Sequence, residues 1–228
     1  MNRRTRAVLL AVAALLTACA GTPPPEWAAD AHAAMQRTQA AVLAGEARIE
    51  AVEFQLARSQ IARSGRTDLL ARAELMRCAA LAASLAGGDC PGFEARRADA
   101  MPADRAYADY LAGRLAPADA ALLPAVHQAA ARGEQGGLAA IDDPLTRLVA
   151  AATVLQAGRA DDATVALAVD TASAQGWRRA VLSWLGVQHR RALAAGDEAT
   201  AARLQRRIDA AGGAGGSGDT GGRGAPAR

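Results

Sequence analysis

The chain has 228 residues, half of them apolar but only 3% aromatic, and alanine dominates the apolar set. All 26 basic residues are arginine and face 23 acidic ones. With the three arginines at positions 3, 4 and 6 set aside the signs balance, which excludes the one-sided basic charge of a nucleic-acid binder. Alanine combines the highest helix propensity with little buried area, so closely approaching helices and an all-α protein are expected.

The chain opens with Arg3, Arg4 and Arg6, followed by an unbroken apolar run from Ala7 to Leu16. A basic segment, a short apolar segment and small residues at a cleavage point form a secretory signal peptide. Ten apolar residues fall short of the roughly 20 that a membrane-spanning helix needs. The run ends in Leu16-Thr17-Ala18-Cys19. This tetrad resembles the lipobox of bacterial lipoproteins. The resemblance implies cleavage after residue 18, acylation of Cys19 and attachment to a membrane through lipid. Ala20, where lipoproteins retained at the inner membrane often carry aspartate, implies the outer membrane. Residues 19–26 then form a tether, whose Pro23-Pro24-Pro25 favours an extended rod rising about 3.1 Å per residue.

Residues 27–211 read as one all-helical domain of ordinary size. Apolar stripes at helical spacing comprise Ile49, Val52 and Leu56; Leu69, Ala73, Met76 and Ala80; Leu145, Leu148, Val149, Ala152 and Leu155; and Trp177, Val181, Trp184 and Leu185. Asp143-Pro144 reads as an N-cap followed by proline at the first helical position, and Pro117 opens another helix. An Ala-Gly pair followed by a charged residue punctuates the pattern at Gly45, Gly113, Gly158 and Gly196, where glycine ends a helix in the left-handed conformation. The intervals are 68, 45 and 38 residues. With small residues at Ala118, Ala163 and Ala201 and large ones at Leu122 and Leu167, the segment resembles tetratricopeptide-like helical hairpins, whose repeat is about 34 residues. Glu50 and Gln205 depart from that pattern. The implied architecture is an α-solenoid of stacked hairpins, with a closed helical bundle as the alternative. Residues 212–228, rich in glycine and without a large apolar side chain, read as a disordered tail.

Cys78 and Cys90 remain as an even pair once Cys19 carries lipid, and an oxidising envelope favours their bridging. A helix running on from Cys78 towards Gly87 rises about 12 Å, and the segment returning to Cys90 reaches about 13 Å. A disulfide therefore closes geometrically, stapling the Pro91 loop to the helix. His32, His127 and His189 stand apart in sequence and fall in no catalytic or metal-binding motif. Asp142-Asp143 and Asp161-Asp162 lie at helix starts, where capping accounts for them. Trp177, Trp184, His189 and Arg190 concentrate scarce large side chains and charge along one helix, the candidate partner surface. Tyr107 and Tyr110 form a secondary candidate.

These observations predict a lipid-anchored scaffold or adaptor on the periplasmic face of the outer membrane, binding envelope proteins without catalysis and without a cofactor or metal. Nucleic acid is not an expected partner. The alternatives are an enzyme acting on cell wall or envelope glycans, which needs two carboxyl groups converging in a cleft, and a helical lipoprotein that binds a small ligand.

Overall fold

The computed structural model describes residues 23–213, and among them it has ten α-helices, two short 3-10 helices and no strand. The expected signal peptide, Cys19, Ala20 and the expected tail beyond residue 213 lie outside the described residues. Gly212 and Gly213 close the last helix instead of starting the tail.

Pro25 stands at the N-terminal boundary of α1 (Glu26–Ala44), with Glu26 at its positive end. The helix stops at Gly45, which adopts φ 84° and lets the Glu46 amide reach back to the Ala41 carbonyl at 2.9 Å. This two-residue turn folds α2 (Ala47–Ala62) back on α1, and α3 (Thr67–Ala83) follows.

The middle of the chain is proline-punctuated. Proline occupies the first turn of α4 (Pro91–Glu94), α5 (Pro102–Leu111) and the 3-10 helix Pro117–Leu122, and directly precedes α6 (Ala125–Ala131). Proline is cheap at a helix start and disruptive inside one, so these elements stay short. After a 3-10 turn at Leu138–Ala140, long helices return: α7 (Pro144–Gln156), α8 (Asp162–Ala174), α9 (Arg178–Ala194) and α10 (Glu198–Gly213). Asp143 caps α7 by accepting the Thr146 amide at 2.7 Å, and Asp161 caps α8 from Thr164 at 2.7 Å. The breaks expected at Gly113, Gly158 and Gly196 all have positive φ.

Hairpin pairing is clear in α1–α2, α8–α9 and α9–α10, but contacts extend beyond chain neighbours. Helix α1 also packs on α3 and α9, and α3 packs on α7. In a solenoid each repeat touches only its neighbours. Here the first and last hairpins meet, so the helical hairpins close around shared clusters in the manner of the bundle alternative.

The core follows from the alanine content. Ala71, Ala80, Ala83, Ala151, Ala168, Ala172 and Ala180 are fully buried in the main cluster, and Trp184 and Phe93 fill the space that methyl groups leave. Leu148, Val149 and Ala152 of the α7 stripe are buried as expected, as are Ala73 and Ala80 of α3.

Two local expectations are corrected. Ile49, Val52 and Leu56 do share one face of α2, but they point outward and are 48%, 63% and 39% exposed. The face turned inward carries Glu50, Ala57 and Ile61. Helix α3 ends at Ala83 instead of near Gly87, because Leu85 takes the left-handed φ of 55°. Gly87 then passes so close to α3 that a Cβ there would lie 2.8 Å from the Ala82 Cα.

Candidate functional site

Trp184 does not belong to a contact surface. It is 0% exposed, and its indole Nε1 donates to the Ala83 carbonyl at 2.9 Å, joining α9 to the end of α3. A buried indole needs such an acceptor. Trp177, just before α9, is half-buried against the same cluster. His189 is half-buried like Trp177, and Arg190 is the one member of the expected surface that is exposed. The i, i+7 spacing of the tryptophans reflects core filling in a chain otherwise built of small residues.

Cys78 and Cys90 are brought together and bridged, with α-carbons 6.0 Å apart. The bridge ties α3 to the start of α4, near Glu74, whose carboxylate packs against Gly92. A Cβ at position 92 would lie 2.2 Å from the Glu74 Oε2. A side chain at position 92 would therefore displace the Glu74 carboxylate from its present place.

Where Gly92 meets Glu74 lies an open groove whose lining includes Ala47, Glu50, Phe54, Arg58, Glu74 and Arg96. Two largely buried carboxylates face it, Glu50 and Glu74. Arg77 donates to Glu50, with its Nη2 2.6 Å away, while Arg58 and Arg96 each stand 3.7 Å from Glu74. The Arg58 and Arg77 guanidiniums lie 5.9 and 5.4 Å from the Phe54 ring centre, within cation–π range. A converging carboxyl pair is what the glycan-enzyme alternative requires. Such an enzyme uses apolar surroundings to keep one acid protonated, whereas here each carboxylate has guanidinium neighbours.

A second constellation assembles Tyr107 and Tyr110 of α5 with His127 of α6. The ring centres of His127 lie 5.2 and 5.3 Å from those of Tyr107 and Tyr110. His127 is 3% exposed. Its Nδ1 has no hydrogen-bond partner, and Nε2 lies 3.5 Å from the Tyr107 hydroxyl, the outer limit of such a bond. Burial pushes the imidazole down to about 4, opposed by the nearby Asp143 carboxylate. Burial pushes the Tyr110 phenol up to about 12 and that of Tyr107 up as well. Thr153 Oγ1 touches both the Ala150 carbonyl at 2.9 Å and the Tyr110 hydroxyl at 2.7 Å. Its single proton goes to the carbonyl, which only accepts, so Tyr110 donates to Thr153. An imidazole that titrates near 4 is poorly matched to base catalysis near neutrality, and the cluster reads as polar-edged aromatic packing.

In each of the other acidic pairs one member, Asp143 or Asp161, is spent on capping. The Thr164 amide and hydroxyl hold the Asp161 carboxyl below its ordinary value, and Thr200 does the same for Asp197 at the start of α10. His32 is exposed on α1, so the three histidines do not converge. No group of three His, Cys, Asp or Glu side chains suited to a metal ion occurs among the described residues. Among the same residues no helix is long and apolar enough to cross a membrane.

No protein-family model matches this chain, and neither the curated proteins nor the solved structures yield a match.

Proposed function

We propose that this chain is a lipid-anchored adaptor or scaffold, held by Cys19 to the periplasmic face of the outer membrane and binding envelope proteins without turnover. The observation that carries the reading is the inverted amphipathicity of α2. This helix turns Glu50 and Glu53 inward to Arg77 and Arg37 and presents Ile49, Val52 and Leu56 to solvent. Three large apolar side chains on successive turns of one helix, in a chain so poor in large side chains, mark an interaction surface. Exposed Arg48 and Arg63 lie along the same side of the helix and favour a partner with apolar anchors and acidic flanks.

The lipobox-like tetrad supports the address, and the helical-hairpin architecture supports the class by analogy alone. The glycan-enzyme alternative draws on the Glu50 and Glu74 groove. A photo-crosslinking residue placed at position 52 of the native lipoprotein tests the adaptor reading. A discrete adduct with an envelope protein, absent when the crosslinker sits at exposed position 139 on the far connection, is the expected result. Release of soluble fragments from purified cell wall by the wild-type chain would replace the adaptor with the enzyme.

A further inference from the structure

The groove beside Gly92 holds a buried acceptor and an unengaged donor side by side. Glu74 is 6% exposed, yet its carboxylate accepts no hydrogen bond among the described residues. Arg58 Nε and Arg96 Nη1 each stand 3.7 Å from its Oε1, beyond hydrogen-bond reach. Arg96 donates that Nη1 to the Gly92 carbonyl at 2.9 Å instead. Arg58 donates no hydrogen bond among the described residues and lies over the Phe54 ring. In the same groove the Arg77–Glu50 pair is closed, at 2.6 Å. A carboxylate buried without hydrogen bonds is costly. The Cys78–Cys90 bridge fixes this arrangement, since Cys78 lies one turn beyond Glu74 on α3 and Cys90 directly precedes the α4 turn whose Gly92 packs on the carboxylate.

The chemistry of the lining narrows what fits. Three guanidiniums, two carboxylates and the Phe54 ring line the groove, with only alanine and glycine between them. No leucine, isoleucine or valine is among them, so an apolar segment gains little there. An anion without protons has nothing to donate to Glu74, and a cation meets three guanidiniums. A ligand that carries donors and acceptors side by side meets neither obstacle. Hydroxyls on adjacent carbons do this, because each hydroxyl can donate to Glu74 and accept from Arg58. The one guanidinium in excess adds a preference for a carboxylate, whose two oxygens match the arginine fork.

We propose that this groove binds an acidic glycan without cleaving it, with a sugar carboxylate on Arg58 and a neighbouring hydroxyl donating to Glu74. The site is distinct from the outward face of α2 that carries Ile49, Val52 and Leu56, and it stands whether or not that face binds a protein.

The test titrates the full chain, in neutral detergent, with two saccharides. One is a hyaluronan tetrasaccharide, which alternates glucuronate with N-acetylglucosamine; the other is chitotetraose, built of N-acetylglucosamine alone. Isothermal titration calorimetry should show saturable binding of the first and roughly tenfold weaker binding of the second. Arg58→Gln should weaken the acidic ligand by roughly tenfold as well. Glu74→Gln separates the proposal from a simple anion site. The substitution raises the positive charge of the groove, so an anion site would bind the acidic ligand more tightly, whereas a ligand whose hydroxyl donates to Glu74 binds more weakly. The Arg58 side chain is 37% exposed, so its variant should keep the helical circular dichroism of wild type. Should Glu74→Gln fail to fold, Arg58→Gln and the comparison of the two saccharides carry the test. Equal binding of the two saccharides, tighter binding by Glu74→Gln, or binding of neither would overturn the proposal. So would shortening of the tetrasaccharide, read by chromatography, which marks a glycosidase. If neither saccharide binds and Arg58→Gln abolishes the position-52 adduct, the groove belongs to the protein partner instead.

Discussion

Below neutrality, His127 should make the fold acid-labile through a quantifiable linkage. The imidazole is buried between Tyr107 and Tyr110, and burial lowers it from 6.5 to about 4. The unfolded chain accepts a proton near 6.5, whereas the folded chain refuses it until about pH 4. Unfolding therefore takes up a proton in this window, and stability is complete above about 6.5 and drains away as pH falls towards 4. At about 1.4 kcal/mol for each tenfold difference in proton affinity, the total is about 3 kcal/mol, of which about 2 kcal/mol is lost between pH 7 and 5. His127→Phe removes the titration and keeps a ring between the tyrosines. Urea unfolding of both chains at a series of pH values from 7.5 to 4.5 reads the effect as a difference. Carboxylates such as Asp161 and Asp197 titrate in both chains and cancel. The stability of wild type relative to His127→Phe should fall by about 2 kcal/mol from pH 7 to 5. Parallel curves would refute the assignment of a buried neutral imidazole, whatever the offset from altered packing.

Other consequences follow from single residues. Mass spectrometry of the mature protein should find an acylated N-terminal cysteine at Cys19, and Cys19→Ser should block processing; a form cut elsewhere with an unmodified Cys19 would contradict the anchor. Non-reducing peptide mapping should link Cys78 to Cys90, and replacing both by serine should cost roughly 2–3 kcal/mol; two free thiols in protein from the envelope would refute the bridge. Trp184→Ala should cost about 3–5 kcal/mol in thermal or urea melts, whereas His189→Ala with Arg190→Ala should leave the melt nearly unchanged. A small loss at Trp184 would contradict its role as the link between α9 and the end of α3.

The features legible in the sequence were those decided locally. Asp143 with Pro144 fixed the start of α7 because capping needs only the next few residues. Gly45, Gly113, Gly158 and Gly196 fixed four turns because positive φ is a property of one residue. The Cys78–Cys90 pairing followed from chain reach across a short span. The illegible features were set by distant partners. Helix α2 was inverted because Arg77, 27 residues on, supplies a guanidinium that makes burial of Glu50 affordable in place of an apolar face. The Trp184 indole points inward because the Ala83 carbonyl, 101 residues away, accepts from it. His127 meets Tyr107 through a proline-punctuated segment whose path no periodicity encodes. Leu85 ends α3 in a conformation that glycine would have signalled and leucine hides.

The central claim is that the outward face of α2 binds a partner. Its most direct measurement is quantitative capture of envelope proteins by the native protein after mild crosslinking, comparing wild type with Val52→Asp and Leu56→Asp combined. Both side chains are solvent-exposed, so circular dichroism and melting temperature should hold while the captured partner falls to background. Undiminished capture of the same partner by the folded double variant would contradict the account.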